Sequence, residues 1–331
     1  MKWAITADLQ FDEYSRLSTL HPSGLTTRLI DLIECWRWIV KTSVAEGCEG
    51  IFVIGDIFNS RTEIPLGVLD IVCREFYEAA TVLENVVVLV GNHDALLRSP
   101  ERNSLQVFRG YTHVIETPDT FDEFLLVPWT EDIDAYRKAV DTMSKKHGSE
   151  YLLSHVLLEE AGYKGKGVPL SYLCPKRFRH VFLGDVHEPK VITPNVRYVG
   201  SPLQIDFRDA GQKRGFYVVD SKTGKWKCHY NNVSPEFHIL VDDDVSQVGK
   251  RDFVRVKTSD PKAALAAIEA AQGKTGWVEG TLVETDEQAP RIAVHTKDTN
   301  EEVLGRYMEF QGRDEAELLE LGLEILKGAK G

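Results

Sequence analysis

The stretch Val86-Val87-Val88-Leu89-Val90, followed at once by Gly91-Asn92-His93-Asp94, limits the possible folds more than any other part of this chain. An unbroken apolar run of this length suits a strand covered on both faces, whereas a half-exposed strand would alternate. Where the run stops, an amide, an imidazole and a carboxylate arrive together at the strand's carboxyl end. Open α/β sheets place their ligands at that edge. Asn offers a neutral oxygen, and His offers a nitrogen ligand or a proton-carrying ring. Taken alone, the tetrapeptide suits an Asx-type turn equally well. The rest of the chain has to decide.

The same arrangement recurs. Lys2 to Ala7 reads as a strand ending in Asp8-Leu9-Gln10, and Ile51 to Ile54 as another ending in Gly55-Asp56. Between them, Leu29, Ile33, Trp36, Ile39/Val40 and Val44 recur at helical spacing over Thr27 to Val44, with Trp36 and Trp38 as packing residues. A second helix is expected from about Pro65 to Ala80. Three β-α units therefore bring Asp8, Asp56 and Asn92 to one sheet edge, which predicts a layered α/β domain with a polar site there. Further strands are expected at Leu125 to Pro128, at Tyr151 to Leu153 ending in Ser154-His155, and at His180 to Leu183 ending in Gly184-Asp185-Val186-His187. Asp132 to Lys145 reads as a helix. Arg197 to Val199 is a short strand before Gly200-Ser201-Pro202, and Arg214 to Asp220 with Lys225 to Tyr230 reads as a hairpin around Thr223-Gly224.

Composition shifts near Asn231 to Pro235, a plausible linker. Strands at Phe237 to Val241, Phe253 to Lys257 and Trp277 to Thr285, with a helix at Ala263 to Ala271 begun by Asp260-Pro261, form a small α+β unit. Asp314 to Lys327 reads as a final helix, apolar round so much of its circumference that it is either buried or seeks a partner. The expected divisions are 1–233, 234–310 and 311–331.

A length of 331 residues allows two domains and a sizeable core. The net charge of −12 counts against a free-standing nucleic-acid binder, although bound divalent ions or local basic patches supply positive charge where it is needed. Five scattered cysteines form no Cys-x-x-Cys pair and read as reduced thiols. No apolar run reaches the roughly 18 residues of a membrane span. The start, Met1-Lys2-Trp3-Ala4-Ile5, reads as a strand and not as a signal peptide. The expectation is a cytoplasmic protein with no membrane contact.

The strand ends together present Asp8, Gln10, Asp56, Asn92, His93, His155, Asp185 and His187. Mixed carboxylate, amide and imidazole donors suit two divalent ions such as manganese or iron, and a pair of ions about 3.5–4 Å apart clamps an in-line displacement at phosphorus. Singly, each residue has a plainer reading, such as a helix cap or a buried imidazole; five donor-bearing strand ends in succession do not.

Asp-x-Gln, Gly-Asp-x(4)-Arg, Gly-Asn-His-Asp, Ser-His and Gly-Asp-x-His resemble the five blocks of the calcineurin-like metallophosphoesterases. More narrowly, they are similar to the SbcD-type nuclease subunit of recombination and repair complexes, including phage relatives. The resemblance covers roughly residues 1–230 and includes Leu126 to Trp129 and Val199 to Leu203. It implies a metallophosphoesterase domain (a β-sandwich core flanked by helices), a small capping domain that helps to position DNA, and a C-terminal helix docking on an SbcC-type coiled-coil ATPase. It also implies a homodimer paired through the helices flanking the third block. By the same resemblance Asp8, Gln10, Asp56 and His187 hold one metal. Asp56, Asn92, His155 and Asp185 hold the second, with Asp56 bridging, and His93 orients the scissile phosphate or protonates the leaving oxygen. The implied activity is DNA exonuclease and single-strand endonuclease hydrolysis.

Two positions depart from the family pattern. Gln10 stands where the family has His in the first block, and Asp185 stands where it has His in the last. Asp185 hardens its site towards manganese or magnesium. Gln10 binds only weakly through its carbonyl, and Asp12 is the candidate to compensate. Arg61, Arg98 and Arg102 are the leading phosphate-contacting residues, with Lys176, Arg177, Arg179, Arg208, Lys213 and Arg214 as further candidates. Two other readings stay open: a phosphoesterase for small phosphodiesters or phosphoproteins, and a metal-poor structural subunit.

Overall fold

The computed structural model describes residues 1–96, 99–146, 148–240, 248–258 and 275–282 continuously, together with residues 260, 262, 265, 266, 268, 269, 299, 302, 303 and 306. The expected helix from Asp314 to Lys327, and so the whole 311–331 segment, lies outside the described residues. So does the end of the strand expected to reach Thr285.

In chain order the elements are β1 (Lys2–Thr6), α1 (Thr27–Ala45), β2 (Gly50–Ile54), α2 (Leu66–Val82) and β3 (Asn85–Leu89). A small antiparallel pair follows, β4 (Ala95–Leu96) with β5 (Ser99–Asn103), and then β6 (His113–Ile115) and β7 (Asp119–Phe121). Next come β8 (Phe124–Val127), α3 (Ile133–Lys146), β9 (Tyr151–His155), β10 (His180–Gly184), β11 (Lys190–Thr193) and β12 (Val196–Tyr198). The hairpin is β13 (Gly215–Asp220) with β14 (Trp226–Tyr230), and β15 (Phe237–Leu240), β16 (Phe253–Thr258) and β17 (Trp277–Leu282) complete the set.

Two six-stranded sheets face each other. One runs β14-β13-β1-β2-β3-β6, the other β11-β12-β10-β9-β8-β7. Each has four adjacent parallel strands: β1, β2, β3 and β6 in the first, β12, β10, β9 and β8 in the second. Antiparallel strands complete both sheets. The apolar runs are continuous because both faces of these strands are covered. Trp3, Ile5, Phe52, Ile54, Val87 and Leu89 meet Phe124, Leu126, Leu153 and Phe182 between the sheets. The alternate residues Ala4, Ile51, Val53, Val86 and Val88 pack outward under α1 and α2, where Trp36 stacks on Phe76. On the far side, Leu125, Leu152, Val181 and Leu183 pack outward with Tyr136 and Val140 of α3. The result is a helix–sheet–sheet–helix sandwich, the expected layered α/β core.

β15, β16 and β17 form a separate three-stranded parallel sheet, and residues 262, 265, 266, 268 and 269 are helical. The buried Arg28 of α1 ties this sheet down. Its guanidinium carbon lies 5.2 and 5.4 Å from the ring centres of Phe237 and Phe253 and its amino group donates to the Gln204 carbonyl. Arg251 reaches back to Asp31 and, at 2.8 Å, to Glu34 of α1.

Candidate metal centre

Parallel strands put like ends together, so the carboxyl ends of β1, β2 and β3 in one sheet and of β9 and β10 in the other converge on one edge of the sandwich. Each chain segment has to turn away immediately to leave its side chain behind. Asp8, Gln10, Asp56 and Asp185 do this with φ of 52°, 55°, 54° and 93°, the left-handed region that non-glycine residues occupy only at a cost of about 1 kcal/mol or more. Strain concentrated on four candidate ligands at one edge marks a functional site. The two leading turns brace each other: Asp8 N–H donates to Gly55 O (3.1 Å), Gln10 N–H to Asp56 O (3.0 Å) and Phe11 N–H to Ile57 O (2.8 Å).

Ligand atoms of Asp8, Asp56 and His155, all three residues buried, lie within 4.8 Å of one another. His155 Nδ1 donates to Ile54 O at 2.8 Å, which leaves Nε2 aimed inward. That nitrogen faces Asn92 Oδ1 at 2.9 Å, Asp56 Oδ1 at 3.4 Å and Asp185 Oδ1 at 4.0 Å. Asp8 Oδ1 accepts from Asp185 N–H at 3.1 Å, and Gln10 Nε2 donates to Asp56 Oδ2 at 3.0 Å. Among the described residues, Asp8 Oδ2 and Gln10 Oε1 are buried acceptors with no donor. Orphaned buried oxygens are costly in a protein unless a cation or water meets them.

The protonation equilibria point the same way. Burial pushes the Asp8 and Asp185 carboxyls up, against the pull of His155. Burial pulls His155 down, yet Asp56, Asp185 and Asp8 outweigh it and bring that imidazole to about 9. The cluster is short of positive charge and takes it from a proton. A divalent ion fits these donors: oxygen-rich, with one pre-oriented imidazole nitrogen.

His187 lies near enough for Asp56 to act on it, and burial holds its imidazole below the usual range. His93 stands off the cluster. Its N–H donates to Asp56 Oδ1 (2.8 Å), its Nδ1 donates to Asn59 O (2.5 Å), and Nε2 sits 4.0 Å from Asp56 Oδ2. A third of its side chain (34%) is exposed, so this imidazole faces both the cluster and solvent.

Two supporting residues lie outside the metal-ligand set that the sequence suggests. Asp94 is buried and accepts three main-chain bonds, from Asp56 N–H (2.8 Å), Gly91 N–H (2.9 Å) and Ile57 N–H (3.1 Å), which fasten the second and third ligand turns together. Glycine is required beside it: a Cβ on Gly91 would lie 2.3 Å from Asp56 Oδ1, and one on Gly55 (φ 75°) 2.2 Å from His155 Nδ1. Arg214 is the other. It is buried, donates to the His187 carbonyl and pairs with Asp209 at 2.6 Å, so its place is inside the protein holding the last ligand loop and not on DNA as expected. Asp12 does not join the cluster as the compensating ligand either; its carboxylate faces Asn59 Nδ2 at 2.7 Å.

Among the other basic candidates, Arg177 pairs with Asp141, Arg179 with Glu150 and Arg208 with Asp206, while Lys213 lies over the Tyr230 ring. Lys176 and Arg102 are exposed, and Arg98 lies outside the described residues. Arg61 is exposed, lies 5.6 Å from the Trp129 ring centre and is near enough to act on Asp185.

No protein-family model matches the chain. Among curated proteins, exonuclease subunit 1 of Enterobacteria phage T4 is 25% identical over 219 residues, covering 61% of this chain and 62% of that protein. The chain is thus similar to a phage protein described as an exonuclease subunit. It spans less than two thirds of the length of that phage relative, at the 62% already given. Solved structures that overlap it include a dimetal phosphatase from Danio rerio (12% identical, TM-score 0.42, 66% of this chain and 91% of that one). Others are an archaeal phosphodiesterase (11%, 0.35, 70% and 100%) and the nuclease MPE of Pseudomonas putida (18%, 0.27, 46% and 60%). These overlaps are low. Among the described residues no helix is long and apolar enough to cross a membrane.

Proposed function

We propose that this chain is a divalent-metal-dependent phosphodiester hydrolase acting on DNA, the nuclease subunit of a complex with an SbcC-type ATPase. The observation that carries the reading is the buried, acceptor-rich cluster of Asp8, Asp56, His155, Asn92 and Asp185 beside a part-exposed imidazole, His93. The similarity to a phage protein described as an exonuclease subunit supports both the activity and the existence of a partner.

In this reading Asp8, Gln10, Asp56 and His187 hold one ion, and Asp56, Asn92, His155 and Asp185 the other, with Asp56 between. Manganese is the ion best matched to so many oxygen donors, ahead of magnesium and iron. Divalent ions held by these residues would supply charge neutralisation at the phosphoryl oxygens and a more acidic water for in-line attack. The remaining work belongs to the chain. The His155 bond to Ile54 O fixes which ring nitrogen faces inward. A half-turn of the Gln10 amide exchanges its oxygen and nitrogen, so the same side chain can present its oxygen. His93, with Nδ1 committed to Asn59 O, keeps Nε2 for the scissile phosphate or the leaving oxygen. Arg61 at the rim meets an adjacent phosphate, with Arg102 and Arg98 further candidates.

Residues 1–233 form the nuclease domain in this scheme, 234–310 cap it and position DNA, and 311–331 dock on the ATPase. Exposed Leu66 and Tyr77, on one side of α2, offer a face for homodimer pairing. The work takes place in the cytoplasm, of the host if the chain is phage-encoded.

A second reading, hydrolysis of small phosphodiesters or phosphoproteins, is favoured by the −12 charge and by the internal pairing of Arg177, Arg179, Arg208 and Arg214. Digestion of an end-labelled linear duplex with manganese, with magnesium and with chelator, beside a His93→Ala control, separates the two. Manganese-dependent degradation lost in the control is the expected result. Turnover of an aryl phosphodiester with no degradation of DNA moves the assignment to the second reading.

A further inference from the structure

We infer that Asp12 is a positioning residue for His93, acting through Asn59; this rests on the reading of His93 as the group that serves the leaving oxygen. Asp12 Oδ2 accepts from Asn59 Nδ2 at 2.7 Å, and its Oδ1 accepts from Glu13 N–H at 2.7 Å, which fixes the carboxylate's orientation. The Asn59 main-chain N–H donates to Phe11 O at 3.2 Å, so the loop after β1 grips Asn59 by both main chain and side chain. What Asn59 then holds out is its own carbonyl, the acceptor for His93 Nδ1. The buried Phe58 anchors the segment before it, residues 61–63 beyond it are exposed, and the Asp12 bond is the side-chain contact that holds Asn59.

The chain Asp12–Asn59–His93 sets which His93 nitrogen carries the fixed proton and where the other points. It works by geometry and not by charge, because the group touching the imidazole is a neutral carbonyl. An amide oxygen at position 12 accepts the same bond from Asn59, whereas a methyl group accepts none.

The test compares two esters with the full-length chain and manganese. Thymidylyl-thymidine leaves as an alkoxide and needs a proton donor; the p-nitrophenyl ester of thymidylate leaves as a stabilised phenolate and does not. Asp12→Ala and Asn59→Ala are each expected to lower kcat on the dinucleotide about tenfold with KM unchanged, a fraction of the 10²–10⁴ that general acid catalysis supplies. On the aryl ester they should stay within about twofold of the parent by the same argument. Asp12→Asn should retain the dinucleotide rate, and the double Ala variant should be no slower than either single one. Equal losses on both esters, or Asp12→Asn as slow as Asp12→Ala, overturns the inference. Nitrogen NMR of the His93 ring in chelated protein reads the Nδ1 proton without catalysis. Asp12→Ala should abolish its protected signal. If the parent cleaves neither ester, the functional reading fails separately, and a His93 Nδ1 signal that survives Asp12→Ala overturns the positioning role as well.

Discussion

Asp94 offers the sharpest test of how this site is assembled, because its effect follows from three countable bonds. Its Oδ2 accepts from Asp56 and Gly91 N–H, its Oδ1 from Ile57 N–H, and the residue is 1% exposed. Asp94→Ala strands three buried main-chain donors. An unsatisfied buried donor costs about 1–3 kcal/mol, so the sum is at least about 3 kcal/mol even if water enters the space left behind. Asp94→Asn should cost less. Its amide oxygen can take the Oδ2 place and keep two bonds, while its NH₂ then faces Ile57 N–H, donor against donor, for a loss of about 1–3 kcal/mol. Unfolding in urea with chelator present is the assay, since a bound ion would add its own stabilisation. With m of about 3 kcal/mol/M, the midpoint should fall by about 1 M or more in the Ala variant and by less in the Asn variant. An Ala variant within about 0.2 M of the parent midpoint, about 0.6 kcal/mol and below the cost of even one stranded donor, would refute the stapling role. So would an Asn variant as unstable as the Ala one.

Three further outcomes follow from the same geometry. His155, raised to about 9, stabilises the ion-free fold fully below the ordinary imidazole value of about 6.5 and loses that contribution as pH rises through 9. An ion must displace the same proton, so manganese affinity should climb roughly tenfold per pH unit up to about 9, and a binding isotherm flat with pH would contradict this. Burial pushes Cys35 to about 12 and Cys48 and Cys228 to about 11. At pH 8 their thiolate fractions are therefore about one in a thousand or less, and a thiol reagent should label these three slowly in the native chain and quickly in urea. Gly55→Ala drives a methyl onto His155 Nδ1 in a left-handed backbone. It should abolish tight manganese binding and lower stability by more than about 2 kcal/mol, measurable by calorimetry and by urea titration.

Most of the side-chain cluster at the strand ends was legible in the sequence because strands covered on both faces have little choice. Val86–Val90 cannot alternate, so its end is marked by the first polar residue, and the same holds for Ile51–Ile54 before Asp56 and His180–Leu183 before Asp185. The short strands β6, β7 and β11 were not legible. Each has three or four residues, and of β6 only Ile115 is buried, so no periodicity announces them. Asp94 was given no role of its own, since a carboxylate that folds back on main-chain donors leaves no pattern of spacing. Arg214 read as a surface cation because its partners, Asp209 and the His187 carbonyl, are brought to it only by tertiary structure. Asp12 was expected to compensate for Gln10 and instead faces Asn59, a direction that spacing alone does not reveal.

The two departures from the family pattern act on different properties of the proposed site. Gln10 in place of an imidazole changes the strength of one donor and leaves the site's charge alone, since neutral imidazole and amide are both uncharged ligands. The Gln10 amide already hydrogen-bonds Asp56 Oδ2, so ion entry at the first position must first break a contact that an imidazole acceptor would not make. Asp185 in place of an imidazole adds a negative charge to Asp8 and Asp56. Against two divalent ions, three carboxylates leave less net positive charge facing a phosphodiester than two would. That weakens attraction for anionic substrate and anionic product alike, while strengthening the hold on the second ion. Arg61, exposed at the rim and close enough to act on Asp185, supplies a positive charge where the buried cluster has lost one. In the proposed function, a positive charge on the exposed Arg61 would take over part of the phosphate capture that the more negative cluster gives up. The departures therefore bear on substrate capture and order of ion loading, and leave the positions of the reacting groups to the same strand ends.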